Sequence, residues 1–315
     1  MTKYTNIIKS VGNTPLISLD NFTSRISSKI YAKCEFMNPS GSMKDRIAKE
    51  IIERAEKSGE IKRGDKIIML TSGNAGIALA TICAAKGYEL IITMSEGNSI
   101  ERRKIIEALG AKLILVPQVR GTIPGQVSSE DLEAVEKKTT ELARKYKAFK
   151  IDQFTNKYNP MAHETTGKEI INQIDNNITA FTTLLGTAGT FSGISKILKI
   201  NDENIKCYAV EPSTAQYLAG KKVINTNHKL QGGGYSRPLP LFNNEICDGF
   251  IPIKDSEAIK TCRDLAKLEG LLVGFSAGAN VCAAYKIAKK LDNGIVVTIL
   301  CDSGMKYLTT DLYEK

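Results

Sequence analysis

Four short turns carry the residue types that could do chemistry. The first, Asn38-Pro39-Ser40-Gly41-Ser42-Met43-Lys44-Asp45, delivers one lysine at the mouth of a helical run, directly after an apolar strand pattern. The positive end of a helix disfavours a cation, so it favours the neutral, nucleophilic amine. The plainer reading is a surface lysine. The second, Thr71-Ser72-Gly73-Asn74-Ala75-Gly76, places two hydroxyls, an amide and backbone N–H groups where the helical run ALATICAA begins. That is a receptor for a carboxylate, or an ordinary N-cap. The third, Gly186-Thr187-Ala188-Gly189-Thr190, lies between FTTLL and FSGISKIL. Its small side chains let N–H groups converge on a phosphate, but its spacing is that of neither dinucleotide nor nucleoside-triphosphate loops. The fourth, Gly274-Phe275-Ser276-Ala277-Gly278, has the letters of a nucleophile elbow. A serine hydrolase needs a histidine after the serine, and both histidines, His163 and His228, precede it.

The elements that must hold these turns alternate. Strand patterns fall at Lys29–Phe36, Lys66–Leu70, Glu89–Thr93, Lys112–Val116, Ala180–Leu185, Cys207–Val210, Gly249–Ile253 and Ile295–Leu300. Helical patterns fall at Asp45–Lys57, Ala75–Lys86, Ile100–Leu109, Asp131–Lys145, Asp255–Leu268 and Ala277–Leu291. Such alternation predicts an α/β protein with parallel sheets covered on both faces, and leaves a barrel and two doubly wound lobes both open. Each turn then sits after a strand and before a helix, where open α/β sheets bind ligands. Two irregular stretches, Pro117–Glu130 and Thr214–Phe242, are long enough to be functional loops.

Composition narrows the classes. A chain of 315 residues is about two domains' worth. With 42% hydrophobic and 24% charged residues it reads as globular. No apolar run reaches the roughly 20 residues of a membrane span, and the N-terminus lacks a signal-peptide core. The seven cysteines form no CxxC pair, which favours reduced thiols in a cytoplasmic protein and no metal site. The net charge of +9 comes from lysines mixed with glutamates along helical stretches, so it implies solvated faces and no nucleic-acid partner. A basic cleft for small anions is compatible with it.

Together with VGNTPLISL, DQFTNKYNP, HETTGKEI, the AVEPS strand end and DSGMKYL, the four turns occur in an order that resembles the cysteine synthase and cystathionine β-synthase family, whose fold is that of the tryptophan synthase β subunit. The resemblance covers nearly the whole chain. It implies pyridoxal 5′-phosphate as cofactor and two doubly wound three-layer αβα lobes with the cofactor in the cleft between them. The smaller, mobile lobe would span 47–155 and the larger 1–46 with 156–315. It further implies that Lys44 holds the cofactor as a Schiff base and exchanges protons at the substrate Cα. Asn74 would bond the pyridoxal 3′-oxygen, Gly186, Thr187, Ala188, Gly189 and Thr190 the phosphate, and Ser276 the pyridine nitrogen. Thr71, Ser72, Gly73, Asn74 and Gln153 would receive the substrate carboxylate. The implied chemistry is β-elimination and β-replacement on an O-activated serine through an aminoacrylate, with a thiol or sulfide as acceptor. Family members are usually homodimers, and serine acetyltransferase is a possible partner.

Three departures bear on the substrate. Ala75 removes a hydroxyl that the family's TSGNT loop carries, and Ala188 stands in a loop that usually reads GTGGT, which is tolerable unless that position needs positive φ. The segment Gln231-Gly232-Gly233-Gly234-Tyr235-Ser236-Arg237-Pro238 matches neither the QGIGAGF of cysteine synthases nor the GIGYDF of cystathionine β-synthases. Tyr235 could line the acceptor site or simply pack. Arg237 could pair with an anionic donor group or be solvated on the loop. Three functions follow. The first is a cysteine synthase using O-acetylserine and sulfide. The second is a relative using cysteine, serine or O-phosphoserine and giving hydrogen sulfide, cystathionine, lanthionine or another β-substituted alanine. The third is a non-catalytic binding homologue, which an intact Lys44 disfavours.

Overall fold

In the computed structural model the described residues are 4–71, 73–119, 127, 129–175 and 177–314. They form two compact units, Met1–Val11 with Lys44–Tyr158, and Gly12–Met43 with Asn159–Lys315. Among the described residues there are two open sheets and eight α-helices, so the barrel alternative falls away.

The first unit runs α1 (Lys44–Ser58), β3 (Lys66–Leu70), α2 (Asn74–Lys86), β4 (Glu89–Ser95), α3 (Ile100–Ala108), β5 (Lys112–Val116), α4 (Ser129–Tyr146) and β6 (Phe149–Ile151). Its four strands are parallel in the order β5-β4-β3-β6. Strand alternation sorts the core between the two faces: Ile68 and Ile91 pack with Leu142 of α4, whereas Met69 and Ile151 face Ile47, Ala48 and Ile51 of α1 across a small cavity. The chain steps outward from β3 to β5 and then returns beside β3 as β6. The ends of β3 and β6 therefore diverge at a switch point, the place where such sheets bind ligands.

The second unit runs β1 (Leu16–Ser18), β2 (Lys29–Lys33), α5 (Tyr158–Gln173, its first residue in the other unit), β7 (Ala180–Leu184), α6 (Gly189–Asn201), β8 (Lys206–Pro212), β9 (Gly249–Ile253), α7 (Asp255–Leu268), α8 (Phe275–Ala288) and β10 (Ile295–Ile299). The sheet order is β1-β2-β10-β7-β8-β9, parallel except for β1. Alanine-rich α8 is buried along most of its length, packing with Ile30, Ala32, Ala180 and Val296. Lys33 points to the other face and meets α5. This sheet's switch point lies between β7 and β10. There Asn280 of α8, fully buried, accepts from Leu184 N at 2.6 Å and donates to Ile299 O at 2.8 Å, satisfying backbone groups that the diverging strands leave unpaired.

The sequence patterns miss β1, β6 and α5. Two boundaries move by several residues: the run expected to be strand to Phe36 ends at Lys33 and continues as a short 3₁₀ turn, Glu35–Met37, and the last long helix starts at Phe275 and ends at Ala288. No helix among the described residues is long and apolar enough to cross a membrane.

Candidate active site

At the switch point of the four-stranded sheet, β3 leads into Thr71 and β6 into Asp152-Gln153, from neighbouring strands in which Met69 pairs with Ile151. A small cavity opens beside them, lined by Lys44, Ala75, Gln153 and apolar side chains. The structure thus brings Lys44 and Gln153 together, with Thr71, Gly73 and Asn74 in the adjoining turn; Ser72 lies outside the described residues. Thr71 is buried, and its Oγ1 accepts from Gly73 N at 3.2 Å. The N-cap of α2 is Gly73, with no side-chain cap bond, so Asn74 is the first helical residue and does not serve as the cap. The start of a helix is the positive end of its dipole, which favours a carboxylate.

Lys44 opens α1, and the loop leading to it is tied down in the second unit. Met43 N donates to Cys301 O at 2.9 Å, Ser42 bridges Asp302, and Lys306 Nζ donates to Ser40 O at 2.8 Å. Gly41, at φ +74°, makes the turn.

At the other switch point β7 runs into Gly186–Thr190, with Thr187, Ala188 and Thr190 buried. Ala188, the N-cap of α6, has φ +67° and makes no side-chain cap bond. The position does need positive φ, so the alanine is strained where glycine would be free; left-handed backbone costs an alanine about 1–2 kcal/mol. Two residues of α5 back the loop: Asn159 Nδ2 donates to Thr187 Oγ1 at 2.8 Å, and His163 Nε2 lies 3.1 Å from Thr190 Oγ1. Thr190 Oγ1 also donates to Met43 Sδ at 3.7 Å, next in sequence to Lys44. A Cβ on Gly189 would stand 2.1 Å from Asn159 Oδ1, and one on Gly186 would stand 2.5 Å from Gly232 O. Both glycines are fixed by close approach.

Ser276 lies at the start of α8, whose N-cap, Gly274, again supplies no side-chain cap. Its hydroxyl donates to Gln231 O at 2.9 Å. The glycine run after Gln231 packs on the end of β7: a Cβ on Gly233 would meet Leu184 at 2.8 Å, and one on Gly234 would meet Pro212 at 2.4 Å. His228 Nε2 lies 3.1 Å from Gly234 O. Glu211 accepts from Leu218 N and Ala219 N, both at 3.0 Å, and burial raises its carboxyl above the ordinary value. Tyr235 is half-buried and Arg237 exposed, the guanidinium 5.7 Å from the Tyr235 ring centroid. Of the Pro117–Glu130 stretch, 120–126 and 128 lie outside the described residues.

Reasoning from sequence assigned nothing to Asn159, His163, Asn280 or Arg102. The signal for the first two was their i, i+4 spacing on one helical face just after Gln153. A phosphorylated pyridoxal fits this set. Gly186–Thr190 offers hydroxyls and the start of α6, whose N-cap makes no side-chain bond.

Residues 7–302 match the family model described as pyridoxal-phosphate dependent enzyme. A cysteine synthase of Staphylococcus aureus is 42% identical over 98% of this chain and 97% of its own length. Two solved structures superpose closely. The cysteine synthase of Entamoeba histolytica has a TM-score of 0.91 and 35% identity, covering 99% of this chain and 91% of its own. A hydrogen sulfide-producing enzyme of Fusobacterium nucleatum has a TM-score of 0.90 and 38% identity, covering 98% and 99%.

Proposed function

Because the chain belongs to the pyridoxal-phosphate dependent enzymes, we propose that it is a β-replacing member that makes cysteine from O-acetylserine and sulfide. The observation that carries the reading is a shared feature of three helix starts. Gly73, Ala188 and Gly274 cap α2, α6 and α8 without a side-chain cap bond, so three positive helix ends carry no side-chain acceptor at the cap. One start suits the substrate carboxylate, one the cofactor phosphate, and the third presents Ser276. The full-length identity to a cysteine synthase supports the substrate class.

Pyridoxal phosphate, when bound, supplies an aldehyde that condenses with amines and a ring that withdraws the electron pair released at Cα. Lys44 holds that aldehyde at rest, takes the Cα proton of the donor once displaced, and returns it at the end. Thr71, Ser72, Gly73, Asn74 and Gln153 hold the donor carboxylate, and Asn74 also reaches the cofactor's 3′-oxygen. Gly186–Thr190 hold the phosphate. Ser276 faces the ring nitrogen; a neutral hydroxyl stabilises positive charge there less than a carboxylate would, which favours elimination over transamination. Across the cycle the donor loses acetate from Cβ, sulfide adds there, and the Cα proton is restored.

A second reading is net release of hydrogen sulfide from cysteine, favoured by the 38% identity to a hydrogen sulfide-producing enzyme. We further propose a cytoplasmic homodimer, with serine acetyltransferase as a candidate partner, on the family pattern. The test supplies O-acetylserine, O-phosphoserine, serine and cysteine separately to the holoenzyme, with and without sulfide, and quantifies cysteine and sulfide. Cysteine formation from O-acetylserine is expected to dominate; sulfide release from cysteine exceeding it would give the second reading precedence. Lys44→Ala should abolish turnover, and undiminished turnover would refute the lysine's assignment.

A further inference from the structure

Resting on the reading that Gly186–Thr190 receives the cofactor phosphate and Lys44 its aldehyde, we propose that Asn280 is a positioning residue, its carboxamide setting the gap between the two loops that hold the cofactor's ends. The ladder between β7 and β10 runs in regular parallel register, Val296 beside Ala180, Val297 beside Phe181 and Thr298 beside Thr182, and stops there. The next rung would carry Leu184 N to Ile299 O, just as Leu185 N on the opposite edge of the strand donates to Val210 O. In its place the side chain of Asn280, wholly buried on α8, enters the ladder. Its Oδ1 accepts from Leu184 N at 2.6 Å and its Nδ2 donates to Ile299 O at 2.8 Å. A carboxamide is a peptide group carried on a side chain, so it satisfies both backbone groups while holding them one amide apart. Nδ2 also lies 3.4 Å from Thr183 Oγ1 and 3.3 Å from Cys301 Sγ, which fixes the plane of the amide.

What this wedge separates is the framework of both loops. Just beyond Leu184 the chain enters Gly186–Thr190. Just beyond Ile299, Cys301 O accepts from Met43 N at 2.9 Å and Asp302 bridges Ser42, so the end of β10 carries the loop whose next residue is Lys44. The two loops meet again farther along, where Thr190 Oγ1 donates to Met43 Sδ at 3.7 Å. Asn280 is thus the spacer at the root of both. An apolar residue in its place would leave Leu184 N and Ile299 O to bond each other, and closing that rung would draw the loops together.

A ligand held at both ends gains from its second contact only where the two sites stand at the span the ligand bridges. A changed span therefore costs the whole cofactor much more than it costs either half. That split separates a spacer from a residue whose loss merely loosens the loops.

The test measures dissociation constants of pyridoxal phosphate, pyridoxal and inorganic phosphate for the full-length protein stripped of cofactor, in the wild type, Asn280→Leu and Asn280→Ala. In Asn280→Leu pyridoxal phosphate should weaken at least about tenfold, while pyridoxal and phosphate each stay within about threefold of the wild type. The phosphorus resonance of bound pyridoxal phosphate should move as well. Asn280→Ala, in keeping with the alanines already on α8, should show the same split and decides the matter if the leucine variant does not fold. Parallel losses for all three ligands, or an unchanged affinity for pyridoxal phosphate, would overturn the proposal. In the wild type the Leu184 amide should exchange with solvent as slowly as those of the paired β7 residues, and fast exchange there would overturn it without any variant. A wild type that binds pyridoxal as tightly as pyridoxal phosphate would overturn the phosphate-loop reading itself.

Discussion

Replacing Lys33 by methionine should destabilise the second unit by about 3–5 kcal/mol, the range for removing one partner of a buried ion pair. The lysine is fully buried, with its Nζ 2.7 Å from Glu169 Oε2, 2.6 Å from Thr14 O and 2.8 Å from Gln173 Oε1. Methionine fills the stem's volume but leaves the Glu169 carboxylate and two acceptors without their cation. At roughly 2–4 °C per kcal/mol for a unit of this size, the midpoint should fall by roughly 6–20 °C. Glu169 also accepts from Asn13 N at 3.0 Å, so Glu169→Gln is the partner change that keeps that bond available. Urea unfolding of the wild type, both single variants and the double variant gives the coupling directly. The double variant should be more stable than the sum of the single losses implies by at least about 1 kcal/mol, as contacting partners do. Cofactor content should fall in parallel in Lys33→Met, because α5 also carries Asn159 and His163 beneath Gly186–Thr190. Single losses below 1 kcal/mol that simply add would refute the reasoning, since that is the behaviour of a solvated pair.

Gly189→Ala should weaken pyridoxal phosphate binding at least about tenfold by equilibrium dialysis, because its Cβ displaces Asn159 from Thr187, a charge-binding loop's support worth on the order of 1–3 kcal/mol. Retained affinity would remove Asn159 from the account. Ellman's reagent should leave Cys34, Cys83 and Cys262 unreacted in the native protein, as burial pushes each thiol up to about 12. Half-buried Cys247 and Cys282 should react slowly, and all seven after denaturation. Asp248 loses some solvation, but its bonds to Lys199 at 2.7 Å and Cys207 N at 2.8 Å outweigh that and hold its carboxyl below the ordinary 3.8. The stability it contributes is therefore present above that value and lost as pH falls through the folded one. Asp248→Asn should cost about 1 kcal/mol at pH 7 in urea unfolding, with the difference shrinking below pH 4. Arg237→Ala should impair use of O-phosphoserine more than O-acetylserine if the exposed guanidinium recognises an anionic donor, and an equal loss on both would discard that role.

The parts of the fold legible in the sequence are those where a run of apolar or β-branched residues, or an amphipathic helical period, is long enough to register. Lys66–Leu70, Lys112–Val116, Gly249–Ile253 and Asp255–Leu268 stand where the pattern places them. The turns were legible for a different reason: small residues at a strand-to-helix junction are a local signal, independent of packing. β1 and β6 are three residues each, too short for alternation to register. Yet β6 is the strand that delivers Gln153 to the cavity lined by Lys44 and Ala75, so the sequence named the residue without the strand that leads to it. The positive φ at Ala188 was invisible for the same kind of reason, since an alanine carries no mark of left-handed backbone.

The missed helix α5 shows where the periodicity rule fails and why. Its buried residues include Asn159, His163, Thr166 and Glu169, so its inner side is substantially polar and hydrophobic spacing says little. Polar groups are costly to bury unless satisfied, and each of these has work: Asn159 holds Thr187, His163 joins Thr166 to Thr190, and Glu169 meets Lys33 and Asn13. A helix whose inward face is polar has given up burial energy for hydrogen bonds, an exchange of use where a neighbouring loop must be held rigidly. The buried face of α3 follows the same rule in miniature, with Arg102 and Ile106 against Gly73 and Gly76. In this chain, two polar residues at i, i+4 of α5 lie behind the turn assigned to the phosphate, and one arginine with an isoleucine at i, i+4 of α3 lies behind the turn assigned to the carboxylate. That pairing of an inverted helix with a glycine turn is the signal that a reading of apolar periodicity alone passes over.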